Sequence, residues 1–108
     1  MYIQTYYNGD ERLGFEWDEE KRAVNIAKHG LDFPRASLAF DGPVVEDIDT
    51  RKDYGEERIR ALGLVENQII LVVYTVRKNR RRIISARKAS RREKEKYHRQ
   101  IQQGRPPA

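Results

Sequence analysis

The stretch "IILVVYTVRKNRRRIISARKAS", residues 69–90, decides the fold. Its first eight residues form an apolar run, which is typical of a central strand that is covered on both faces. Lys78-Asn79 predicts a tight hairpin turn, and residues 81–87 predict the return strand. The chain therefore has an antiparallel pair of strands at its centre, with basic side chains around the turn.

With an even hairpin loop, the alternation of side chains between the two faces continues regularly from one strand to the other. Arg81 and Arg87 are then expected on the face that carries Val72 and Tyr74. Because burying a lone guanidinium would cost several kcal/mol, Arg87 needs a partner on this apolar face. The partner is either a carboxylate such as Glu93, in a structural ion pair, or a phosphate bound by the planar guanidinium.

Further elements are predicted on both sides of the hairpin. A capping box at Ser90 and Glu93 starts a C-terminal helix that runs to about Gln102. Residues 44–48 and 58–64 predict two more strands, which extend the hairpin to a meander of four.

A short strand and two helices are predicted before the meander. Residues 15–17 form the strand, and Asp18 is an N-cap for a helix that ends at Gly30. Asp32 begins a second helix with Pro34 in its first turn, where the missing N–H costs nothing. The apolar face of the first helix is expected to contain Ala23, Ile26, Ala27 and Leu31.

This order of elements predicts a single α+β domain over residues 15–102, with residues 1–14 as an N-terminal extension and residues 103–108 as a tail. The 108 residues include no cysteine, which excludes disulfides and thiolate metal sites. No apolar run is long enough to span a membrane, and the first fourteen residues carry acidic side chains instead of an apolar signal segment. We therefore expect a cytoplasmic protein.

Charge is distributed unevenly along the chain. Residues 1–57 contain 7 Lys/Arg and 14 Asp/Glu, a net charge of −7, whereas residues 58–108 contain 15 and 3, a net charge of +12. This asymmetry indicates either a polyanion or an oppositely charged partner, or else neutralisation of the basic half by the acidic half within the fold. Composition favours neither explanation.

Three segments together resemble the BrnT family of toxins from bacterial type II toxin–antitoxin systems. They are "FEWDEEKRAVNIAKHGLDF" (15–33), "GEERIRALGLVENQIILVVYTVR" (55–77) and "RIISARKASRREKEKY" (82–97). The resemblance implies a RelE-like fold, a small twisted antiparallel sheet of about four strands with helices packed against it. It also implies an endoribonuclease that inhibits translation, a cognate BrnA-type antitoxin that neutralises it, and binding of operator DNA only through the complex with that antitoxin.

Metal-independent RNA cleavage needs a proton acceptor for the 2′-hydroxyl, positive charge at the phosphate and a proton donor for the leaving oxygen. No His, Asp and Glu cluster has metal-ligand spacing, so we expect no metal and no cofactor. Arginine suits the phosphate because its guanidinium can bind two oxygens at once. The candidate catalytic residues are Arg77, Arg87, His29, Glu57 and Tyr97, with the two arginines as the principal ones.

Most candidates also have an ordinary structural explanation. Lys28 and His29 could simply complement the dipole at a helix C-terminus, although histidine is the usual proton-transfer side chain near neutral pH. Glu57 could be a solvated loop carboxylate, and Tyr97 could pack in the core. The candidate RNA-binding residues are Lys28, Arg58, Arg82, Arg81 and Trp17. Stacking of the tryptophan on a base competes with packing in the core, and the arginines near the turn could form a solvated basic rim.

Two other classes of function are compatible with the same sequence. One is a non-catalytic nucleic-acid-binding module, which would bind RNA or DNA with strong salt dependence and without cleavage. The other is a protein-interaction module whose arginines dock an acidic partner.

Overall fold

The computed structural model describes residues 14–103. The strands are β1 (Gly14–Trp17), β2 (Val45–Ile48), β3 (Ile59–Val65), β4 (Gln68–Arg77) and β5 (Arg80–Lys88). The helices are α1 (Glu19–His29), α2 (Phe33–Ala36) and α3 (Arg91–Gln103), with a 3-10 helix (Ser37–Asp41) directly after α2. The predicted order of elements is confirmed, and the predicted extension, apart from Gly14, and tail, apart from Gln103, lie outside the described residues.

The five strands form one mixed sheet in the order β1-β5-β4-β3-β2. The meander from β2 to β5 is antiparallel, as predicted, but β1 pairs with β5 in parallel, with Phe15 opposite Arg81. The expectation of about four antiparallel strands therefore needs correction to five strands of mixed direction. The connection from β1 to β5, through two helices and three strands, is long enough to return the chain parallel to β1. The prediction missed this pairing because a strand of four residues carries no sequence signal for its direction.

An irregularity in the pairing of β4 with β5 decides which arginines share a face. The register shifts by one residue between Val73 and Tyr74, and such a shift moves all following side chains to the opposite face. Arg81 consequently lies on the face of Tyr74, whereas Arg87 lies opposite Leu71 on the other face. The prediction that the two arginines share a face is wrong. It assumed that the side chains alternate regularly between the faces along the whole of β5, without a register shift.

The sheet has a core on each face. The first face, covered by α2 and the 3-10 helix, holds Phe15, Trp17, Phe33, Ile70, Val72 and Ile83. The second face, covered by α3, holds Val45, Leu62, Leu71, Val73 and Tyr97. The 3-10 helix approaches the sheet at Gly63, where an added Cβ would lie 2.8 Å from the Cβ of Ala39. Glycine is therefore required there for this close approach.

The predicted caps and turns are confirmed. The Asp18 carboxylate accepts a 2.8 Å hydrogen bond from the Glu20 amide, and Gly30 ends α1 in the left-handed conformation at φ 69°. Ser90 and Glu93 form the capping box of α3. Lys78 and Asn79, with φ of 49° and 64°, form the β4–β5 turn. None of the helices within residues 14–103 is long and apolar enough to cross a membrane.

The packing of α1 differs from the prediction. Asn25 is its only buried residue, whereas Ala23, Ile26 and Ala27 are exposed and Leu31 is half-buried. The Asn25 side chain donates to the Ala86 carbonyl (2.8 Å) and accepts from the Ala86 amide (3.0 Å). A buried amide that bonds to the backbone of β5 therefore fixes this helix, and the predicted apolar face is wrong.

Candidate nucleic-acid interface

Eight of the ten predicted site residues lie in three separate places. We call the first the hairpin end, the part of the sheet next to the β4–β5 turn, with Arg58, Glu57, Arg77 and Arg82. The second is the α3 corner, where β5 passes into α3, with Arg87 and Tyr97. The third is the C-terminal turn of α1, with Lys28 and His29. The two remaining candidates, Arg81 and Trp17, belong to the first face.

The hairpin end contains a cavity because β4 is longer than its neighbour. β3 begins at Ile59, so the last three residues of β4, Thr75–Arg77, run past it. The cavity there has a volume of about 360 Å³, and its lining includes Glu57 and the exposed Arg77. The Thr75 hydroxyl donates to the Glu57 carbonyl over 2.7 Å, which fixes the loop before β3. A carboxylate and a guanidinium, both predicted as catalytic, thus share one open cavity.

Arg58 precedes β3, and strand alternation places it on the second face with Arg60. Its Cζ lies 4.0 Å from the centroid of the Tyr54 ring, and its Nε lies 3.5 Å from the Glu56 carboxylate. The side chain is 25% exposed. Arg58 is therefore held by an aromatic ring and an acid and still reaches solvent.

The loop that carries Tyr54 is organised by Asp49, whose side chain is 1% exposed. Its carboxylate accepts hydrogen bonds from Arg51, through Nε (2.9 Å) and Nη2 (2.8 Å), and from the Tyr54 hydroxyl (3.1 Å). The hydrogen bonds from Arg51 hold the pKa of Asp49 well below its ordinary value. Its amide also donates to the Arg58 carbonyl over 2.8 Å. Sequence reasoning missed Asp49 and Tyr54, since residues 49–55 show only a polar loop.

Arg82 is next in the sheet to Thr75, which lines the cavity. It donates to the Glu16 carboxylate over 2.7 Å. Its side chain is 12% exposed. This guanidinium is engaged inside the second face. Among the predicted site residues of the hairpin end, Arg58 and Arg77 therefore remain accessible.

At the α3 corner, Arg87 forms a two-pronged ion pair with Glu93, with distances of 2.8 Å and 3.0 Å. This pairing lowers the pKa of Glu93 to about 2. Tyr97 is buried, its hydroxyl donates to the Pro43 carbonyl over 3.1 Å, and burial raises its pKa. Both side chains have the contacts expected of structural residues, and the ion pair considered for Arg87 is present.

The α3 corner is far from the hairpin end. Leu71, which is opposite Arg87, precedes Arg77 by six residues on β4, or about 20 Å at the rise of a strand. One phosphate cannot contact both arginines. The two principal candidate arginines therefore lie at separate places on the sheet.

Lys28 and His29 are exposed in the last turn of α1. They line a second cavity of about 380 Å³, together with Ile84 and Ser85 of β5. This cavity lies beside the edge of β5 beyond the end of β1, and none of the hairpin-end candidates lines it.

Two candidates belong to the first-face core. Trp17 is 0% exposed and packs edge-to-face on Phe33, so its ring is not available to stack on a base. The guanidinium of Arg81 lies 4.3 Å from the ring centroid of Phe40 and 5.7 Å from that of Tyr74. Cation–π contacts of this kind anchor an arginine among aromatic rings, so Arg81 is not part of a solvated rim.

Tyr74 joins this aromatic group to the edge of the sheet. Its hydroxyl donates to the carboxylate of Glu46 on β2. Burial, together with this acceptor, raises the pKa of Tyr74 to about 12. The phenol therefore stays protonated and acts as a donor.

The donor chemistry of the hairpin end is that of arginine and a carboxylate. Among residues 14–103, no group of three or more His, Asp or Glu side chains is placed to hold a metal ion. The cavity can bind a phosphate through Arg77 and accept a proton at Glu57, whereas Arg58, next to Glu57 in the chain, is not among its lining residues.

Comparison with known proteins gives the chain a family. A family model described as the ribonuclease toxin BrnT of type II toxin–antitoxin systems matches residues 17–93, a range that includes the hairpin end, α1 and Arg87 of the α3 corner. No curated protein is similar enough to the chain to count as a match. Since the matched range covers more than half of the sequence, the chain belongs to the BrnT family of ribonuclease toxins.

Proposed function

We propose that this protein is an endoribonuclease that cleaves RNA at the hairpin end without a metal ion, on a fold of the RelE-like type. The family match supports the ribonuclease activity. The observation that carries the location is the open cavity shared by Arg77 and Glu57. It holds an accessible cation for a phosphate beside a carboxylate that can take a proton.

In this mechanism Glu57 removes the proton from a ribose 2′-hydroxyl, and the 2′-oxygen attacks the adjacent phosphorus. Arg77 and Arg58 bind the non-bridging oxygens, whose negative charge grows in the transition state. The bond to the 5′-oxygen breaks, and that oxygen takes a proton from solvent on the open side of the cavity. The products are a 2′,3′-cyclic phosphate and a free 5′-hydroxyl.

The remaining candidates receive supporting roles. Lys28 and His29, exposed on another element, contact RNA outside the cleavage step. Arg82 and Arg81 hold the strands next to the cavity through Glu16 and Phe40. Arg87 and Tyr97 hold α3 on the sheet.

The biological role follows from the family. Cleavage of RNA in the cytoplasm would inhibit translation, and a cognate BrnA-type antitoxin would neutralise the toxin. The accessible arginines suggest that the antitoxin covers the hairpin end, and operator DNA would be bound only by the complex. The complex is therefore expected to cleave RNA far more slowly than the free toxin, and a complex that cleaves at full rate would contradict this part of the proposal.

The test is cleavage of RNA by the purified protein, with and without EDTA. Arg77→Ala removes a charge that stabilises the transition state, and Glu57→Gln removes the proton acceptor. Each change is expected to slow cleavage by about 100-fold or more. Arg35→Ala is the matched control, because Arg35 is also an exposed arginine but lies away from the cavity, paired with Glu66 at the β3–β4 turn. It should cleave at the wild-type rate.

Three results would overturn the proposal. The first is a folded wild-type protein that cleaves no RNA, and the second is activity that EDTA abolishes. The third is an Arg77→Ala variant as active as Arg35→Ala. Equal binding of RNA and DNA without cleavage would instead establish a nucleic-acid-binding module.

A further inference from the structure

We infer that Asp49 and Tyr54 are positioning residues of the reaction, which hold the guanidinium of Arg58 at the phosphate-binding side of the hairpin end. This inference rests on the proposed function, because it assigns Arg58 to the substrate. Neither residue contacts RNA in this role, and both act through Arg58.

The first step is the fixation of Asp49. Its buried carboxylate accepts from the Arg51 amide (3.1 Å), from two guanidinium nitrogens of Arg51 and from the Tyr54 hydroxyl. The Arg51 side chain is 68% exposed, whereas the Asp49 side chain is 1% exposed. The guanidinium of Arg51 therefore covers the Asp49 carboxylate on its solvent side. A carboxylate with this many donors has a single orientation, and it serves as the anchor of the loop.

The second step is the fixation of Tyr54. The hydrogen bond to Asp49 holds the far end of the ring, and Gly55 turns the chain immediately afterwards at φ 72°. The ring face lies 4.0 Å from the Arg58 guanidinium and also 5.8 Å from the Lys52 ammonium. A ring fixed at its hydroxyl offers a fixed surface on which a guanidinium can stack.

The third step is the need for such a surface. Arg58 lies just outside β3, where its carbonyl accepts from the Asp49 amide, and the Glu56 carboxylate is 3.5 Å from its Nε. Without the ring, this acid would draw the guanidinium into a closer ion pair and away from the phosphate. Stacking on Tyr54 keeps the charge oriented before the substrate arrives, which is the condition for electrostatic stabilisation of a transition state.

The experiment is a double-mutant cycle on cleavage of a short RNA, with kcat and KM measured separately. Tyr54→Leu removes the stacking surface and is expected to lower kcat/KM by about 10-fold, close to the effect of Arg58→Ala. In the doubly substituted protein the loss should equal that of Arg58→Ala alone, because a positioning residue has no effect once the residue that it positions is gone. In the Arg77→Ala background, Tyr54→Leu should again lower kcat/KM by about 10-fold, because Tyr54 does not act through Arg77.

Conservative variants separate positioning from a merely structural role. Tyr54→Phe keeps the ring but removes its hydrogen bond to Asp49, so it should lose less activity than Tyr54→Leu and about as much as Asp49→Asn. Asp49→Asn should lower kcat/KM in the wild-type background and have no effect in the Arg58→Ala background. Fluorescence of Trp17, which is buried and the only tryptophan, reports whether each variant is folded. If Tyr54→Leu does not fold, the Asp49→Asn cycle decides the question.

Binding provides an independent readout. An RNA with 2′-O-methyl groups throughout lacks the nucleophile and measures affinity alone. The slope of its affinity against salt should fall by about 0.7 in Arg58→Ala, and by a similar amount in Tyr54→Leu. If the wild-type protein cleaves RNA but the losses of Tyr54→Leu and Arg58→Ala multiply in the doubly substituted protein, the positioning role is overturned and the proposed function stays intact. A folded wild-type protein without cleavage would overturn both.

Discussion

The hairpin end and the α3 corner both present arginines at the end of a strand, yet their arginines have opposite surroundings. At the α3 corner, Arg87 is bound by both oxygens of Glu93, which is itself held by the capping box. At the hairpin end, Arg77 lies exposed in a cavity that it shares with Glu57. Basic composition is the same in both places. What distinguishes a binding arginine from a structural one is whether its donors are already occupied.

The largest expected effect is on cleavage. Arg77→Ala and Arg87→Ala each remove one positive charge, so a general electrostatic role would slow both variants equally. We expect Arg77→Ala to lose about 100-fold in kcat/KM, whereas Arg87→Ala stays within about threefold of the wild type. Rates per folded molecule, measured on one RNA at one salt concentration, make the comparison. Equal losses in both variants would abolish the distinction between the two regions.

The second effect is on stability and has the opposite order. Arg87→Ala breaks the ion pair and leaves Glu93 with only its capping role, so the free energy of unfolding should fall by about 1 kcal/mol. The figure is modest because 37% of the Arg87 side chain is exposed. Arg77→Ala should leave stability within about 0.5 kcal/mol of the wild type. Urea unfolding followed by Trp17 fluorescence measures both values, and a larger loss for Arg77→Ala would reverse the assignment.

The third and smallest effect concerns acid. The pKa of Glu93 falls from its ordinary value of 4.5 to about 2 in the fold. A carboxyl with a lowered pKa binds fewer protons when folded, so its stabilisation is complete above about pH 4.5 and is lost as the pH falls toward about 2. Glu93→Gln should therefore be less stable than the wild type at neutral pH, and the difference should shrink with acid.

Acid unfolding curves of the wild type, Glu93→Gln and Arg87→Ala test this prediction. Asp32, Asp47 and Asp49 also have lowered pKa values, so the overall acid sensitivity is shared and only the difference between proteins reports on Glu93. A difference that stays constant across this pH range would show that the ion pair contributes no pH-dependent stability.

Local features of the fold could be predicted from the sequence. The Asp18 cap, the Lys78-Asn79 turn and the capping box at Ser90 each depend on residues within four positions of one another, and all are confirmed. The hairpin was found for the same reason, because an apolar run and a turn are contiguous signals.

Features that depend on distant residues escaped prediction. The register shift at Tyr74 has no local sequence signature, and it moved Arg87 to the other face. The Asn25 side chain is hydrogen-bonded to Ala86, 61 positions away. This buried amide, and not the predicted apolar face, therefore fixes α1 on the sheet. The surroundings of Arg81 come from rings that are remote in the sequence, such as Phe40. For the site, Glu57 and Arg77 were predicted individually, whereas the Asp49–Tyr54 support lay hidden in a polar loop.

The amide of Asn25 has a consequence for the behaviour of the protein in concentrated solution. β1 ends at Trp17, so among residues 14–103 the edge of β5 that faces away from β4 has no strand partner from Ile84 to Lys88. An open length of strand edge is a template on which another molecule can add a strand and start aggregation. Asn25 occupies both backbone groups of Ala86 on this length, as a strand partner would. One side chain thus protects the edge from self-association, and it does so without the cost of building another strand.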